Sequence, residues 1–318
     1  MHAVFLDLDT VDRGDLDLAS LRAQIPDAVF HPYTDDADAL ARIGHAEIVL
    51  LNKVRIDAAV FDHAPSLRCI CMAATGTDNV DLAAAEAHGV AVYNVRDYGS
   101  QSVGEHVFAL LLGLVRKLPD YHHAVQAGHW SESRLPFLLD FPIGELYGKR
   151  LAIVGHGVLG TTVARMADCF GMEVIVAERR GVAPRAGRVS FEAALEAADV
   201  LSLHCPLTPQ TRNLIGTAEL DLLGPDGLLI NTARGGLVDA QALADALRSG
   251  RLGGAGLDVL DAEPPPANNP LLAGDIPNLI ITPHVAWASR RARQTVIEQM
   301  AAALKAFLHG AEHPNRVV

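Results

Sequence analysis

The chain has 318 residues, of which half are hydrophobic, and this supplies enough apolar material for two hydrophobic cores. A formal net charge of -12 without a lysine and arginine cluster argues against binding to nucleic acid or to an anionic membrane surface. The four cysteines are too few and too scattered for a disulfide framework, and no leader or transmembrane stretch is visible. We therefore expect a globular protein of the reducing cytoplasm.

The first hundred residues alternate short apolar runs with amphipathic stretches, which predicts an α/β fold with a parallel sheet between helices. The predicted strands are 4–8, 48–51, 67–72 and 90–93, and the predicted helices are 35–43 and 80–88. The stretch 102–118 is apolar almost all round, so we predict a helix that is buried between other elements.

The segment 119–148 has no clear period and mixes aromatic residues with histidines, prolines and charges. It is predicted to be an arm, either packed on another subunit or running over the surface. From residue 149 the alternation resumes, and six apolar runs near residues 151, 174, 200, 228, 254 and 279 predict a doubly wound sheet. An amphipathic helix at 289–309 is expected to pack back on the N-terminal domain and to make that domain discontinuous.

A glycine fingerprint, Gly155-His156-Gly157-Val158-Leu159-Gly160, directly follows the apolar run 151–154. Its first glycine permits a tight turn, its second lets the backbone approach a pyrophosphate, and its third lets a helix lie close to the sheet. A second predicted strand ends in Glu178, eighteen residues beyond Gly160. This context predicts a dinucleotide-binding βαβ unit.

The choice between NAD and NADP depends on Glu178 and the two residues after it. The Glu178 carboxylate can accept hydrogen bonds from an adenosine ribose diol and repels a 2'-phosphate, which favours NAD. Arg179 and Arg180 follow directly, and a guanidinium at this place suits a 2'-phosphate. NAD is the expected cofactor, and NADP stays open.

Three polar blocks in the last third of the chain begin at or just beyond predicted strand ends, and they contain Arg234, Glu263 and His284. Ligands of open α/β sheets bind at the carboxyl ends of the strands, so these three side chains can converge. Reduction of a 2-keto acid needs a cation for the carboxylate, a proton donor for the carbonyl oxygen and a group that keeps the donor protonated. Arg234, His284 and Glu263 suit those three tasks respectively.

The order of these blocks resembles one family over nearly the whole chain. Besides the fingerprint, the sequence contains ATGTDNVD at 74–81, HCPLT at 204–208, NTARGG at 231–236, GLDVLDAEP at 256–264 and TPHVAW at 282–287. It resembles the D-isomer-specific 2-hydroxyacid dehydrogenases. Within them it is most similar to the glycerate dehydrogenase, or hydroxypyruvate reductase, branch, partly through Asn52-Lys53 and Ala177-Glu178-Arg179.

The resemblance implies a role for each matching residue. Arg234 would hold the substrate carboxylate and keto oxygen, His284 would be the acid and base, and Glu263 would pair with His284 and keep it protonated. The backbone N–H groups of Thr75 and Gly76 would bind the substrate carboxylate. Within the cofactor site, the Cys205-Pro206 pair would flank the adenosine, the 232–234 block would line the nicotinamide, and Asp258 would bond its carboxamide. The residues expected to contact the cofactor are Gly155, Gly157, Val158, Leu159, Gly160, Glu178, Arg179, Cys205, Pro206, Thr232, Ala233, Arg234, Asp258 and His284.

The resemblance also implies the architecture and the reaction. A Rossmann cofactor domain at 101–287 would be inserted in a discontinuous, flavodoxin-like catalytic domain at 1–100 and 288–318, and the arm at about 119–148 would form a homodimer interface. The enzyme would reversibly reduce a small 2-keto acid, first of all hydroxypyruvate or glyoxylate, to the (R)-2-hydroxy acid, and no metal site is predicted.

The alternative is a cofactor-sensing binding protein like the co-repressors that share this fold. The sequence ends at Val318, shortly after the predicted helix 289–309, and this favours the enzyme over the binding protein.

Overall fold

A computed structural model of the protein describes all residues from 1 to 318. The chain divides into two compact units, residues 1–99 with 287–318, and residues 100–286. Each unit contains a parallel sheet with helices packed against it, which confirms the predicted α/β fold class. No helix combines the length and the apolar character that are needed to cross a lipid bilayer.

The first unit is built on a five-stranded parallel sheet in the order β2-β1-β3-β4-β5, which is the flavodoxin-like order. Its strands are β1 (Ala3–Phe5), β2 (Val29–Phe30), β3 (Ile48–Leu51), β4 (Cys69–Met72) and β5 (Ala91–Tyr93). Three of them lie inside predicted apolar runs, because residues buried on both faces of a parallel sheet are apolar throughout. β1 overlaps the predicted run 4–8 only at Val4 and Phe5, since the chain forms a 3-10 helix at Leu8–Thr10. The short edge strand β2 was not predicted, since two residues with a half-exposed Val29 produce no apolar run.

Four short helices belong to the same unit, namely α1 (Ala19–Arg22), α2 (Ala39–Ile43), α3 (Ala58–His63) and α4 (Leu82–Ala87). The predicted helix 35–43 is a 3-10 turn at Asp36–Asp38 followed by α2. α4 lies inside the predicted range 80–88 and begins at its N-cap Asp81, whose carboxylate accepts the N–H of Ala84 at 2.9 Å.

The second unit opens with α5 (Ser100–Val115), the predicted buried helix. Gly104 allows it to pack closely on another helix, because a Cβ at this position would lie 2.7 Å from the Met166 sulfur. The helix ends three residues earlier than predicted, since Lys117 adopts φ +52° and a new helix, α6 (Leu118–Gln126), begins with Pro119 in its first turn.

Segment 119–148, which is predicted to be an arm and has no clear period in its sequence, is partly helical. It contains most of α6 and also α7 (His129–Glu132), and its remainder is irregular. The Tyr121 hydroxyl donates to the Phe141 carbonyl at 2.7 Å, and the two rings meet edge to face with centroids 5.1 Å apart. Its large hydrophobic side chains are nevertheless mostly exposed, among them Trp130, Phe137 and Leu139.

All six predicted runs of the second unit form strands of one parallel sheet in the order β11-β10-β9-β8-β6-β7. The strands are β6 (Arg150–Val154), β7 (Glu173–Ala177), β8 (Val200–Leu203), β9 (Leu228–Asn231), β10 (Gly254–Leu257) and β11 (Leu279–Ile281). The intervening helices are α8 (Val158–Cys169), α9 (Phe191–Ala197), α10 (Thr217–Leu223) and α11 (Ala240–Arg248). β7 and β8 pair in parallel with opposite edges of β6, so the order in which the chain adds strands to the sheet reverses at β6. A doubly wound sheet binds its ligand at such a reversal.

The last helix, α12 (Arg290–Leu308), belongs to the first unit. Its predicted range was 289–309, and the Ser289 hydroxyl caps it by accepting the N–H of Ala292 at 3.2 Å. Val296, Met300 and Leu304 on its apolar face are buried in the same core cluster as strand β4.

Candidate active site

Two positions of the glycine loop after β6 have no room for a Cβ atom. Gly155 has φ +96°, and a Cβ there would come within 2.5 Å of the His204 carbonyl group. A Cβ on Gly160 would overlap the carbonyl oxygen of Gly155. The turn and the first turn of α8 are therefore in direct backbone contact, as the fingerprint predicted.

The second glycine of the fingerprint, Gly157, is different because nothing lies within 4 Å of the place where its Cβ would stand. Gly157 is the N-cap of α8, so the N–H groups of Val158 and Leu159 belong to the first turn and have no partner within the helix. Such a helix end attracts phosphate groups. The loop thus fits the pyrophosphate of a dinucleotide, since the space that Gly157 leaves open is not filled by protein.

We expect Gly157→Ala to fold like the wild type and to bind dinucleotide at least about tenfold more weakly, because the new methyl group meets no protein atom but occupies the pyrophosphate position. Thermal unfolding and calorimetric titration with NADH measure the two effects. Gly160→Ala is the matched control, and its Cβ clash with Gly155 should lower the melting temperature. Wild-type dinucleotide affinity in Gly157→Ala would contradict this placement.

Two buried polar atoms near the ends of β8 and β9 have no hydrogen-bond partner, the Nδ1 of His204 and the Oγ1 of Thr232. Burial lowers the pKa of His204 to about 4, so the ring is neutral at pH 7, and its Nε2 lies 2.8 Å from the Ser202 hydroxyl. Buried polar groups are normally paired, so these atoms fit polar groups of a bound ligand. Cys205 and Pro206 follow His204, and Cys205 is partly buried whereas Pro206 is exposed.

Glu178 lies directly after β7, and its side chain is only 1% exposed. Its carboxylate accepts two hydrogen bonds from Arg185, from Nε at 2.6 Å and from Nη2 at 2.8 Å, and one from the backbone N–H of Arg179 at 3.0 Å. These bonds, that of Arg185 above all, lower the pKa of Glu178 to about 2. Arg180 instead pairs with Glu219. Glu178, which was predicted to bind the adenosine ribose, is therefore already hydrogen-bonded to Arg185.

Arg234 is held by the turn that follows β9. The Asn231 side chain accepts the N–H of Ala233 at 3.0 Å and donates to the Arg234 carbonyl at 2.9 Å. A Cβ on Gly235 would overlap the backbone of Leu260, so the Arg234 turn lies directly against the segment that leads to Glu263. The guanidinium donates to the Ala233 carbonyl at 2.8 Å and is partly buried.

Asp258 follows β10 and fixes the loop that follows β11. Its carboxylate, 1% exposed, accepts the Thr282 hydroxyl at 2.6 Å and the N–H groups of Val285 at 2.9 Å and Ala286 at 2.8 Å. His106 of α5 approaches the same carboxylate at 3.4 Å. The carboxylate thus holds the loop on both sides of residue 284. The expected bond from Asp258 to a nicotinamide carboxamide stays a prediction.

His284 sits in this loop with φ +56°, a conformation uncommon for residues other than glycine. Its N–H donates to the Asp258 carbonyl at 2.7 Å, which helps to hold the loop. The ring Nδ1 lies 2.6 Å from one carboxylate oxygen of Glu263, and the other oxygen accepts the Leu260 N–H at 3.0 Å. The predicted histidine and carboxylate therefore form a pair whose two members are both oriented by backbone contacts.

Thr75 and Gly76 belong to the first unit, where they follow β4. The Thr75 hydroxyl donates to the Val95 carbonyl at 2.8 Å, and the Thr75 carbonyl accepts from the Asn94 side chain at 2.8 Å. These contacts define the turn. The predicted binding of substrate by its N–H groups stays a prediction.

Three contributors to the site were not among the predicted residues. Asn231 shapes the turn of Arg234, His106 contacts the Asp258 and Thr282 side chains, and Arg185 binds Glu178. One signal was visible for His106, a polar residue within the almost wholly apolar stretch 102–118. Arg185 gave none, because it lies seven residues from its partner in an irregular loop.

Comparison with known proteins shows that the chain is an NAD(P)-dependent oxidoreductase. Residues 108–286 match the family described as "D-isomer specific 2-hydroxyacid dehydrogenase, NAD binding domain". A glycerate dehydrogenase of Methylorubrum extorquens is 42% identical over 310 residues, covering 95% of this chain and 97% of that protein. The chain belongs to the D-isomer-specific 2-hydroxyacid dehydrogenase family, and the predicted resemblance to its glycerate dehydrogenase branch is confirmed.

Solved structures show the same relationship. The TT0316 protein of Thermus thermophilus is 36% identical, with a TM-score of 0.87 and full coverage of both chains. The NADPH-dependent glyoxylate/hydroxypyruvate reductase of Sinorhizobium meliloti, solved with NADP and malonate, is 28% identical, with a TM-score of 0.81 and coverage of 100% of this chain and 96% of that one.

Proposed function

We propose that this enzyme reduces hydroxypyruvate or glyoxylate to the corresponding 2-hydroxy acid, reversibly, and forms the (R) product where the product is chiral. The observation that carries the proposal is the His284–Glu263 pair at 2.6 Å in loops that follow strands of the dinucleotide-binding sheet. The similarity to the Methylorubrum and Sinorhizobium proteins, a glycerate dehydrogenase and a glyoxylate/hydroxypyruvate reductase, supports the choice of substrate.

His284 is assigned the proton transfer. Bound nicotinamide supplies the hydride that reduces C2 of the keto acid. As the carbonyl oxygen gains charge, it takes a proton from the Nε2 of His284, and the Glu263 carboxylate bonded to Nδ1 stabilises the charged ring that precedes the transfer. In the oxidative direction the same nitrogen accepts the hydroxyl proton.

Arg234 is assigned the substrate carboxylate and keto oxygen. Its planar guanidinium can form two parallel hydrogen bonds to a carboxylate, and this fixes the orientation of a small substrate that offers few other contacts. The Asn231 turn and the close contact of Gly235 with Leu260 hold the Arg234 backbone in place. The backbone N–H groups of Thr75 and Gly76 in the first unit are also proposed to bind a substrate carboxylate, as the family resemblance implies.

The proposal is tested by kcat/KM values for hydroxypyruvate, glyoxylate, pyruvate and phenylpyruvate with NADH and NADPH. Hydroxypyruvate or glyoxylate should be preferred over phenylpyruvate by at least about tenfold. Dinucleotide binding without turnover of any keto acid would support the alternative, a cofactor-sensing protein, and preference for phenylpyruvate would contradict the small-substrate assignment.

We further propose that the enzyme is a cytoplasmic homodimer. Between residues 118 and 147 the structure exposes a group of large hydrophobic side chains, namely Leu118, Val125, Trp130, Leu135, Phe137, Leu139, Ile143 and Tyr147. A patch of this kind is typical of a protein interface. Light scattering at micromolar concentration should give a dimer mass, and a monomer would contradict the proposal. Cys69 and Cys71 are buried free thiols, the state that a reducing cytoplasm maintains.

A further inference from the structure

Several positive charges surround the negative Glu178 carboxylate at the end of β7. Four arginines lie within ten residues of it, at positions 179, 180, 185 and 188. Arg185 donates hydrogen bonds to both carboxylate oxygens of Glu178, and the Nη1 of Arg188 lies 3.8 Å from the Oε1 of Glu178. Arg180 is paired with Glu219, whereas the side chain of Arg179 is exposed and has no ion pair. The positive charge in this segment therefore exceeds the negative charge.

The geometry also limits what Glu178 can accept. Its side chain is almost fully buried, and three donors already use its two oxygens. A ribose diol would have to displace Arg185 to reach the carboxylate, and the bidentate bond of a guanidinium to a carboxylate is among the stronger protein hydrogen bonds. A 2'-phosphate would meet a neutralised carboxylate and a neighbouring arginine instead.

From these contacts we infer that Arg185 sets the cofactor preference of this enzyme, because by occupying Glu178 it makes the adenosine ribose subsite a site for the 2'-phosphate of NADP. Arg179 supplies the exposed cation next to that phosphate. Arg185 is thus a positioning residue that acts through Glu178. The inference rests on the proposed function, in that the loop after β6 binds a dinucleotide.

The Arg185–Glu178 contact has two expected consequences for cofactor binding. NADPH should bind the wild type about tenfold more tightly than NADH, since the additional phosphate gains charge-assisted hydrogen bonds. The preference should shrink as salt is added, because Arg179 is exposed and its attraction for phosphate is screened.

Calorimetric titration of the full-length protein with NADH and NADPH, and with the fragments 5'-AMP and 2',5'-ADP, tests the inference without turnover. In Arg185→Ala the released Glu178 carboxylate should repel the phosphate, so the ratio of NADPH to NADH affinity should fall by at least about tenfold. Arg180→Ala is the matched control, an arginine of the same segment that pairs with Glu219, and its ratio should change by less than about threefold.

A double-mutant cycle separates action through Glu178 from direct contact. Glu178→Gln alone should leave the ratio within about threefold of the wild type, because the carboxylate is already neutralised. The double variant Glu178→Gln with Arg185→Ala should recover most of the NADPH affinity that Arg185→Ala loses. An equal loss in both backgrounds would mean that Arg185 binds the phosphate itself and would overturn the inference.

The wild type separates this inference from the proposed function. If NADH binds at least tenfold more tightly than NADPH, the inference fails and the dehydrogenase remains. If neither dinucleotide nor either fragment binds, the proposed function fails with it.

Discussion

Replacing His284 with alanine is expected to lower kcat for hydroxypyruvate reduction by at least about a thousandfold, because the keto oxygen then has no proton donor. The Nδ1 contact of 2.6 Å to Glu263 supports this role, since a paired carboxylate stabilises the protonated ring. Steady-state kinetics at saturating cofactor measure the effect, and stopped-flow traces of one turnover should show that the loss lies in the chemical step.

The backbone of His284 requires a second variant in this test. At φ +56° alanine is strained, whereas asparagine tolerates this region better, so His284→Asn separates the loss of the imidazole from a loss of loop structure. Both variants should lose kcat alike, and His284→Asn should keep the melting temperature of the wild type. His309→Ala, a change at an exposed histidine after α12, is the control and should keep full activity. Activity of His284→Asn within tenfold of the wild type would refute the assigned role.

The second sheet was predictable because its signals are local. Each of its six strands contains an apolar run, which is typical of parallel strands covered by helices. The glycines at 155 and 160 follow from the same logic, since backbone contact excludes a Cβ at both positions. Arg234, Glu263 and His284 could be proposed together from the sequence because the carboxyl ends of parallel strands bring distant polar blocks to one edge.

What could not be predicted depends on contacts between residues that show no pattern in sequence. The break between α5 and α6 arises from one left-handed residue, Lys117, within a stretch whose apolar pattern is continuous. Arg185 reaches Glu178 only because the loop after β7 folds back along its strand, where Val189 bonds to Val176. A loop that folds back in this way is determined by tertiary packing. It produces no periodic sequence pattern from which its course could be predicted.

For Asp258 the sequence predicted a residue of the site but not the contacts that this residue makes. The resemblance implies a hydrogen bond to the nicotinamide carboxamide, whereas in the structure its oxygens accept from Thr282, Val285 and Ala286. These bonds hold the loop in which His284 keeps a left-handed backbone, a conformation that costs about 1–2 kcal/mol. Removing the carboxylate is therefore expected to displace His284, the proposed catalytic base, through its loop.

Asp258→Ala is accordingly expected to lower the free energy of unfolding by about 2–4 kcal/mol, because it leaves buried N–H donors without an acceptor. It should also lower kcat by at least about a hundredfold, since a displaced His284 no longer meets the keto oxygen. Asp275→Ala, which removes a carboxylate that pairs with Arg248 at the surface, is the control and should cost less than about 1 kcal/mol with unchanged kcat.

Asp258→Asn makes the distinction sharper. Its amide nitrogen cannot accept the Ala286 N–H, but its oxygen can still bind Thr282 and Val285. If Asp258 acts by holding the loop, both variants lose kcat and stability together while NADPH affinity changes by less than about threefold. If it acts on the carboxamide, NADPH affinity falls by at least about tenfold and stability stays within about 1 kcal/mol of the wild type. Urea unfolding and calorimetric titration of the same two variants decide between these outcomes, because the loop contacts exist without the cofactor and the carboxamide contact does not.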